Sequence, residues 1–463
     1  MHKATVQKVN MDNNQRSNIG YLGRASYSYD DRYFFTGSYR RDGASVFGVN
    51  QKWGDFFAFG GAWRLSSEKF MSSISYLDDL KLKLSWGKNG NQGLDPYGTL
   101  STINNGASGG VRYEFGGSDI IYGLNQKALG NANLGWETTE SWNTGFESAW
   151  LGSRLFVDLD LYFSKTTDQI FTRDIPVMTG FKNMKSSMGQ VNNRGVELTI
   201  RSVNIDTQDW YWTTNLTFWL NRNKLIHLYG EDLDGDGRED DDISNSRFIG
   251  KPLGAIYGYL QDGIVQETDV EYMKANGATP GIPKYKDMDN DGVITSADRI
   301  ILGYSTPNFK LNMSNTITYK NWDLYFMLTG TFGGGGYYQK SNKGAYLTNG
   351  SGRFNTNGIY IPWWTPENKS NEYPAATFND DGGRFLGLQN RAFVRLQDVT
   401  LSYTFREPWV QKVNIQNLKV FFTTKNLFTI TKWQGGDPEV GVTVSENTYP
   451  VLTSFSLGAN ISF

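Results

Sequence analysis

The residues best spaced for chemistry are Asp287-x-Asp289-x-Asp291-Gly292-Val293-Ile294-Thr295-x-x-Asp298. Carboxylates at positions 1, 3, 5 and 12 with glycine at 6 match a calcium loop of EF-hand type. The alternate spacing turns three short carboxylates towards one point, Gly292 permits the sharp bend, and Val293 offers its backbone carbonyl. Asp298 replaces the usual glutamate at position 12 and shortens the reach. The competing reading is an acidic surface turn, and the spacing favours Ca2+. A second run, Asp232-x-Asp234-x-Asp236-Gly237, begins alike but carries Ile243 at position 12. There a calcium loop and a solvated acidic turn stay equally open, with Asp240, Asp241 and Asp242 able to supply the absent ligand. Any Ca2+ here would be structural, since no acid–base partner accompanies either run.

Other groups fit catalysis poorly. Asp158 and Asp160 resemble a glycosidase pair only in type, because strand spacing puts both on one face beside Tyr162 with nothing apolar to raise a pKa. GTFGGGG at 330–336 lacks the lysine and following helix of a phosphate loop and reads as a glycine loop at a strand end. His227 has no metal-spaced partner. Cysteine is absent and histidine occurs twice, so thiolate centres are excluded and zinc sites nearly so. Tyr337, Tyr338, Trp363, Trp364 and Trp433 suit stacking on cargo or packing within loops, and no substrate-binding residue is assigned. The expectation is no enzyme.

What would position these loops is a set of strands. Strict two-residue alternation runs through the chain, as in Leu80, Leu82, Leu84 and Trp86 against Lys81, Lys83 and Ser85. About thirteen strands are expected, near 19–29, 32–42, 55–66, 78–88, 135–150, 154–166, 189–203, 208–221, 308–320, 321–332, 393–405, 416–428 and 452–463. Alternation alone fits a soluble sandwich or a membrane barrel. Strand length favours the barrel, as do aromatics at strand ends (Trp63, Trp86, Trp150, Trp210, Trp322). So do connections that alternate between short turns and long loops. A net charge of −2 gives no reason to bind nucleic acid. Asp158, Asp160, Glu197 and Arg201 should face the lumen, with Leu159, Leu161, Leu198 and Ile200 facing outer-membrane lipid.

A resemblance sharpens this. YSYDDRYFFTGSYRRDGASVFG (27–48), KWGDFFAFGGAWRLSSEKF (52–70), NRGVELTI (193–200) and GKPLGAIYGYLQDGIVQ (250–266) resemble segments of the SusC/RagA-like TonB-dependent transporters of Bacteroidetes. So do KYKDMDNDGVITSADRIILGYSTPNF (284–309), WWTPEN (363–368), FVRLQDVTLSYTF (393–405) and NLKVFFTTKNLFTITKWQGGDPEV (417–440). The resemblance implies TonB-dependent import of oligosaccharides or peptides through a 22-stranded barrel. It also implies an internal plug that meets the TonB system and a SusD-like surface lipoprotein over the mouth. An odd strand count and no apolar leader suggest that residues 1–463 are the C-terminal part of the transmembrane β-barrel. The plug and first strands would then lie outside this chain, and the rest of the barrel would come from a further segment or a separate chain. The resemblance also makes Phe463, at the end of an alternating strand, an expected barrel-insertion signal. A passive barrel or surface binding protein is the alternative.

Overall fold

The computed structural model describes residues 13–105, 112–115, 119–122, 124–181, 183–337, 362–378, 388–406, 409–410, 415–433, 437–439 and 451–463. One antiparallel sheet of thirteen strands dominates. Its strands are β1 (Asn18–Tyr29), β2 (Tyr33–Ala44), β3 (Trp53–Arg64), β4 (Leu77–Asn91), β5 (Glu137–Trp150), β6 (Leu155–Asp174) and β7 (Asn183–Asp206). They continue with β8 (Trp210–His227), β9 (Phe309–Tyr319), β10 (Trp322–Phe332), β11 (Phe393–Phe405), β12 (Asn417–Thr431) and β13 (Ser454–Ser462). Each pairs with the next in chain order, and among the described residues β1 pairs only with β2 and β13 only with β12. All thirteen expected strands are present. No helix among the described residues is long and apolar enough to cross a membrane, which says nothing of strands.

One expected loop shrinks. The connection read as 167–188 is mostly strand, because β6 runs 20 residues and β7 runs 24. A bulge around Thr166–Ile170 breaks the alternation there and hides the continuation from a period-2 reading. Other long connections are also built where their residues are described. They contain two-stranded ribbons such as Ala255–Tyr259 with Arg299–Tyr304 and Gln261–Ile264 with Pro283–Tyr285, and a short helix, Val270–Asn276.

Register sorts the two faces. Asp158 pairs with Thr199, Asp160 with Glu197 and Phe156 with Arg201, while Leu159 meets Leu198, Leu161 meets Val196 and Val157 meets Ile200. The charged set therefore shares one face and the leucines the other, as the alternation requires. The apolar face has no protein cover: Leu84 is 54% exposed and Leu457 78%. At the short-turn end, rings pair across strands, with centroids 4.4 Å apart for Trp210–Tyr319, 4.8 Å for Trp322–Tyr403 and 6.3 Å for Tyr33–Trp63. Such a band fits a membrane interface.

Tight turns join strands at that end. Asp30 and Asp31 adopt φ of 53° and 48°, and Lys320 one of 52°. Left-handed backbone at turn residues suits hairpins, and Asp tolerates it better than bulky types. The hydrophobic clusters lie at the opposite, long-loop end. One joins Ala44, Val46, Phe47, Leu94 and Leu134, another Val191, Leu225 and Leu228, and a third Ile264 with Trp364.

Candidate functional site

The acidic loop 287–298 sits at the long-loop end, between the helix Val270–Asn276 and the ribbon strand Arg299–Tyr304. Carboxylate oxygens of Asp287, Asp289 and Asp291 lie within 4.8 Å of one another. Backbone amides shape the loop. Asn290 N–H and Gly292 N–H donate to the two oxygens of Asp287 at 2.6 and 2.7 Å, and Val293 N–H donates to Asp291 at 2.7 Å. Gly292 has φ of 87°, so the bend needs a residue without Cβ. Asn276 reaches from the helix to accept Ile294 N–H at 2.6 Å and ties loop to helix.

Asp298 is fully buried and braces the loop from below. Its oxygens accept Met288 N–H and Thr295 N–H, each at 2.7 Å, and Thr295 forms a capping box with it. Those amides, Thr295 first and then Met288, hold its carboxyl below the ordinary aspartate value. At Asp289 the amide of Asp291 pulls the other way from burial and the charges of Asp291 and Asp298, and the net result is a raised pKa. Negative charge is thus crowded where a hard cation would relieve it. Oxygen donors at these separations suit Ca2+ rather than a softer metal.

The second run repeats the shape. Asp232 accepts Gly235 N–H at 2.7 Å and Gly237 N–H at 3.0 Å, and Asp236 accepts Arg238 N–H at 2.8 Å. The oxygens of Asp232, Asp234 and Asp236 also converge within 4.8 Å. Asp240 accepts Leu233 N–H at 2.7 Å, so it closes the loop on itself. Asp241 accepts Ile249 N–H at 2.6 Å, and Asp242 is spent on Ser244, Asn245, Tyr229 and Arg247. His227 is not isolated: its Nδ1 lies 3.2 Å from Glu239, which also accepts Leu228 and Gly230 N–H at 2.6 and 2.7 Å.

On the polar face of the sheet, Lys83 Nζ lies 2.9 Å from Asp158, 3.1 Å from Asp160 and 3.3 Å from Glu147. Lys419 pairs with Asp323 at 2.8 Å. These are ion pairs lining a polar wall, and Asp158 and Asp160 hold no catalytic geometry. Sequence reasoning missed Lys83 as their partner, because cross-strand neighbours are distant in the chain.

The loop aromatics divide. Trp364 and Trp433 are buried, 8% and 7% exposed, so they pack rather than wait for cargo. Gly333 and Gly334 have φ of 78° and 82°, a turn at the end of β10 as the glycine run implied. Tyr338 and the side chain of Tyr337 lie outside the described residues.

An uncovered apolar face, aromatic rings at the short-turn end and a polar face of paired charges define the wall of an outer-membrane β-barrel, with the long loops exterior and the short turns periplasmic. The chain belongs to the TonB dependent receptor-like, beta-barrel family, which matches residues 4–427. It is 30% identical to the TonB-dependent receptor SusC of Bacteroides thetaiotaomicron over 100% of this chain and 45% of that protein. It is 29% identical to TonB-dependent receptor P3 of Formosa agariphila, over 97% of this chain and 46% of the relative. The fold is similar to the RagAB peptide importer in its open-open state, with a TM-score of 0.77 and 23% identity over 97% of this chain and 47% of that one. The chain spans about half the length of the curated relatives it matches.

Proposed function

We propose that the chain forms part of the wall and exterior loops of a TonB-dependent importer for oligosaccharides or peptides. The observation that carries this is the family match along a sheet whose polar face is lined with compensated charge. Lys81 and Lys83 together face Glu147, Asp158 and Asp160, so the cluster leaves a hydrated wall with a single excess negative charge, over which a polar cargo slides without a strong trap. Both sheet edges carry unpaired backbone groups among the described residues, which in lipid cost several kcal/mol each. Further strands outside this chain therefore close the barrel, and a plug within it meets TonB. A SusD-like lipoprotein covers the exterior mouth. The test is uptake of labelled oligosaccharides and peptides by cells carrying the whole transporter, with and without TonB. Loss of uptake without TonB supports active import; uptake that persists supports a passive barrel.

Ca2+ belongs to the same reading. Asp287, Asp289, Asp291 and the Val293 carbonyl would hold the ion, with Asp298 bracing the loop beneath and able to lend an oxygen. Asp232, Asp234 and Asp236 form a second, more exposed candidate. The ion would neutralise crowded carboxylates and stiffen the exterior loop where a lid protein docks. Titration calorimetry with Ca2+ on the whole transporter, compared with Asp287→Asn and Asp289→Asn together, tests this. Heat unchanged by the double substitution would reject the first loop as the site.

A further inference from the structure

We infer that the outward face of β4–β8, just above the apolar band, binds a phosphorylated glycolipid of the exterior leaflet, with Arg194 and Arg222 at the centre of the site. Pairing lines these strands up residue by residue. Leu84, Leu161, Val196 and Leu220 share one outward row. The next row towards the exterior holds Trp86, Trp142, Phe163, Arg194 and Arg222. The row after it holds Lys88, Glu140, Lys165, Asn192 and Lys224. No register shift interrupts these rows, so all three face the same way as Leu84 and Leu161, towards lipid. Within two rows the wall passes from aliphatic side chains to five cations and one carboxylate. The next pair outwards, Val191 with Leu225, is sealed in a core at the exterior end.

Arg194 and Arg222 are exposed and stand directly opposite each other, roughly 5 Å apart at Cβ, where like charges destabilise a sheet unless something neutralises them. Lys165 is the diagonal neighbour of Arg194, and Lys224 follows Arg222 on the same face. Among the described residues Lys88, Lys165, Arg194 and Lys224 form no ion pair, and Glu140 accepts the Trp86 indole N–H at 2.8 Å. Arg222 donates Nη1 to the carbonyls of Asn221 and Asn308 at 3.0 and 2.6 Å, which fixes its position and leaves its charge unbalanced. The inner face differs, since Lys83 and Lys419 there both meet carboxylates. The counter-charge for the outward set must therefore come from outside the wall. Guanidinium forks match phosphate oxygens, and the flanking lysines can bend up from the apolar band to the same group. A soluble phosphate would satisfy the cations alone. A glycolipid also lays acyl chains along Leu161 and Val196 and sugars against Trp142, which is 50% exposed.

The test uses the whole transporter purified in detergent and native mass spectrometry at rising lipid concentration. The probes are phosphorylated lipid A, the same lipid with its phosphate removed, and phosphatidylglycerol. The parent should bind phosphorylated lipid A about tenfold or more tightly than either other probe, and high salt should erase that preference. Arg194→Gln combined with Arg222→Gln should weaken phosphorylated lipid A about tenfold or more, whereas the paired lysine substitutions should keep it within about threefold. Arg201→Gln with Lys310→Gln removes the same charge from the lumen face and should change nothing. Equal binding of the phosphate-free lipid, or an equal loss in the lumen pair, would overturn the site. Unchanged affinity in the outward glutamine pair would do the same. Phosphatidylglycerol bound as tightly as lipid A would overturn the glycolipid as occupant. Should the glutamine pair fail to assemble, the lysine pair and the salt series decide: a preference that survives high salt would overturn the assignment. None of these outcomes depends on what the transporter carries or on TonB.

Discussion

Replacing Trp364 by alanine should open the exterior module while leaving the barrel wall intact. Trp364 is 8% exposed and packs with Ile264, which is 1% exposed, and with Tyr285, Trp363, Tyr373, Ala375 and Phe378. Its indole N–H donates to Gln266 Oε1 at 2.9 Å. Gly281, at φ of 89°, lets the ring approach so closely that a Cβ there would lie 2.6 Å from Cε3. Truncating such a buried ring costs about 3–5 kcal/mol, part of it the hydrogen bond, worth roughly 1 kcal/mol net. At about 1.4 kcal/mol per tenfold, amide exchange in the module should accelerate by roughly two to three and a half orders of magnitude. The amides that report it are Val265, Gly281 and Ala375. They bond Ile282, Val265 and Gly281 carbonyls at 2.8, 2.8 and 2.7 Å and so join the two loops. Trp364→Phe keeps most of the packing and should lose roughly a fifth to a third of that protection on a logarithmic scale. Hydrogen exchange with mass spectrometry on the purified transporter reads both. Unchanged protection at these three amides, or a loss shared equally by β6 and β7, would refute the claim that Trp364 holds an independent module.

Three further outcomes are expected. Burial alone would raise the Glu239 carboxyl, but the amides of Gly230 and Leu228, with His227, hold it below the ordinary 4.5. Its contribution is present above that value and lost as pH falls through the lowered one, so exchange protection at Leu228 and Gly230 should hold above the ordinary value and fall as the pH drops beneath it. A Glu239→Gln protein that kept the same pH profile would remove the cause. Leu198→Arg should destabilise the barrel by about 2–4 kcal/mol near mid-span, whereas Thr199→Arg, one residue on and facing Asp158, should be tolerated. Thermal unfolding that ranks the two alike would break the register. Phe463→Ser should lower outer-membrane levels far more than Phe455→Ser, although both rings are exposed, 80% and 62%. Equal levels by quantitative blotting of membrane fractions would show that apolar area, not terminal position, matters.

Most of the wall was legible in the sequence for a physical reason. A strand between lipid and water must alternate, so Leu159, Leu161 and Leu198 against Asp158, Asp160 and Glu197 identify both element and face. Legibility fails where that constraint lapses. Above the membrane β6 and β7 continue through Thr167–Asp174 and Asn183–Met188, but with no lipid to face they need not alternate, and a bulge shifts their phase. The acidic loops were legible because their geometry is local: Gly292 bends, and Asp287 gathers amides three and five residues on. Asn276, Asn371 and Glu239 were not, since each acts across a gap that only the folded loops close. Asn371 accepts Ile264 N–H at 2.9 Å from 107 residues away.

The same contrast explains why the exterior end has cores at all. A long connection outside the membrane still carries a donor and an acceptor at nearly every residue, and bare loops of that length leave them to water. Here they pair into ribbons, and the ribbons need an apolar face to hold them. Ile264 and Trp364 supply one, Leu225 and Leu228 another, Phe47 and Leu134 a third. Each core joins residues from separate connections or binds a connection to its strands. Loop 45–52, for example, is pinned by Gly48 N–H to Leu134 O at 2.9 Å. Rigid, cross-braced loops present a fixed surface at the exterior end.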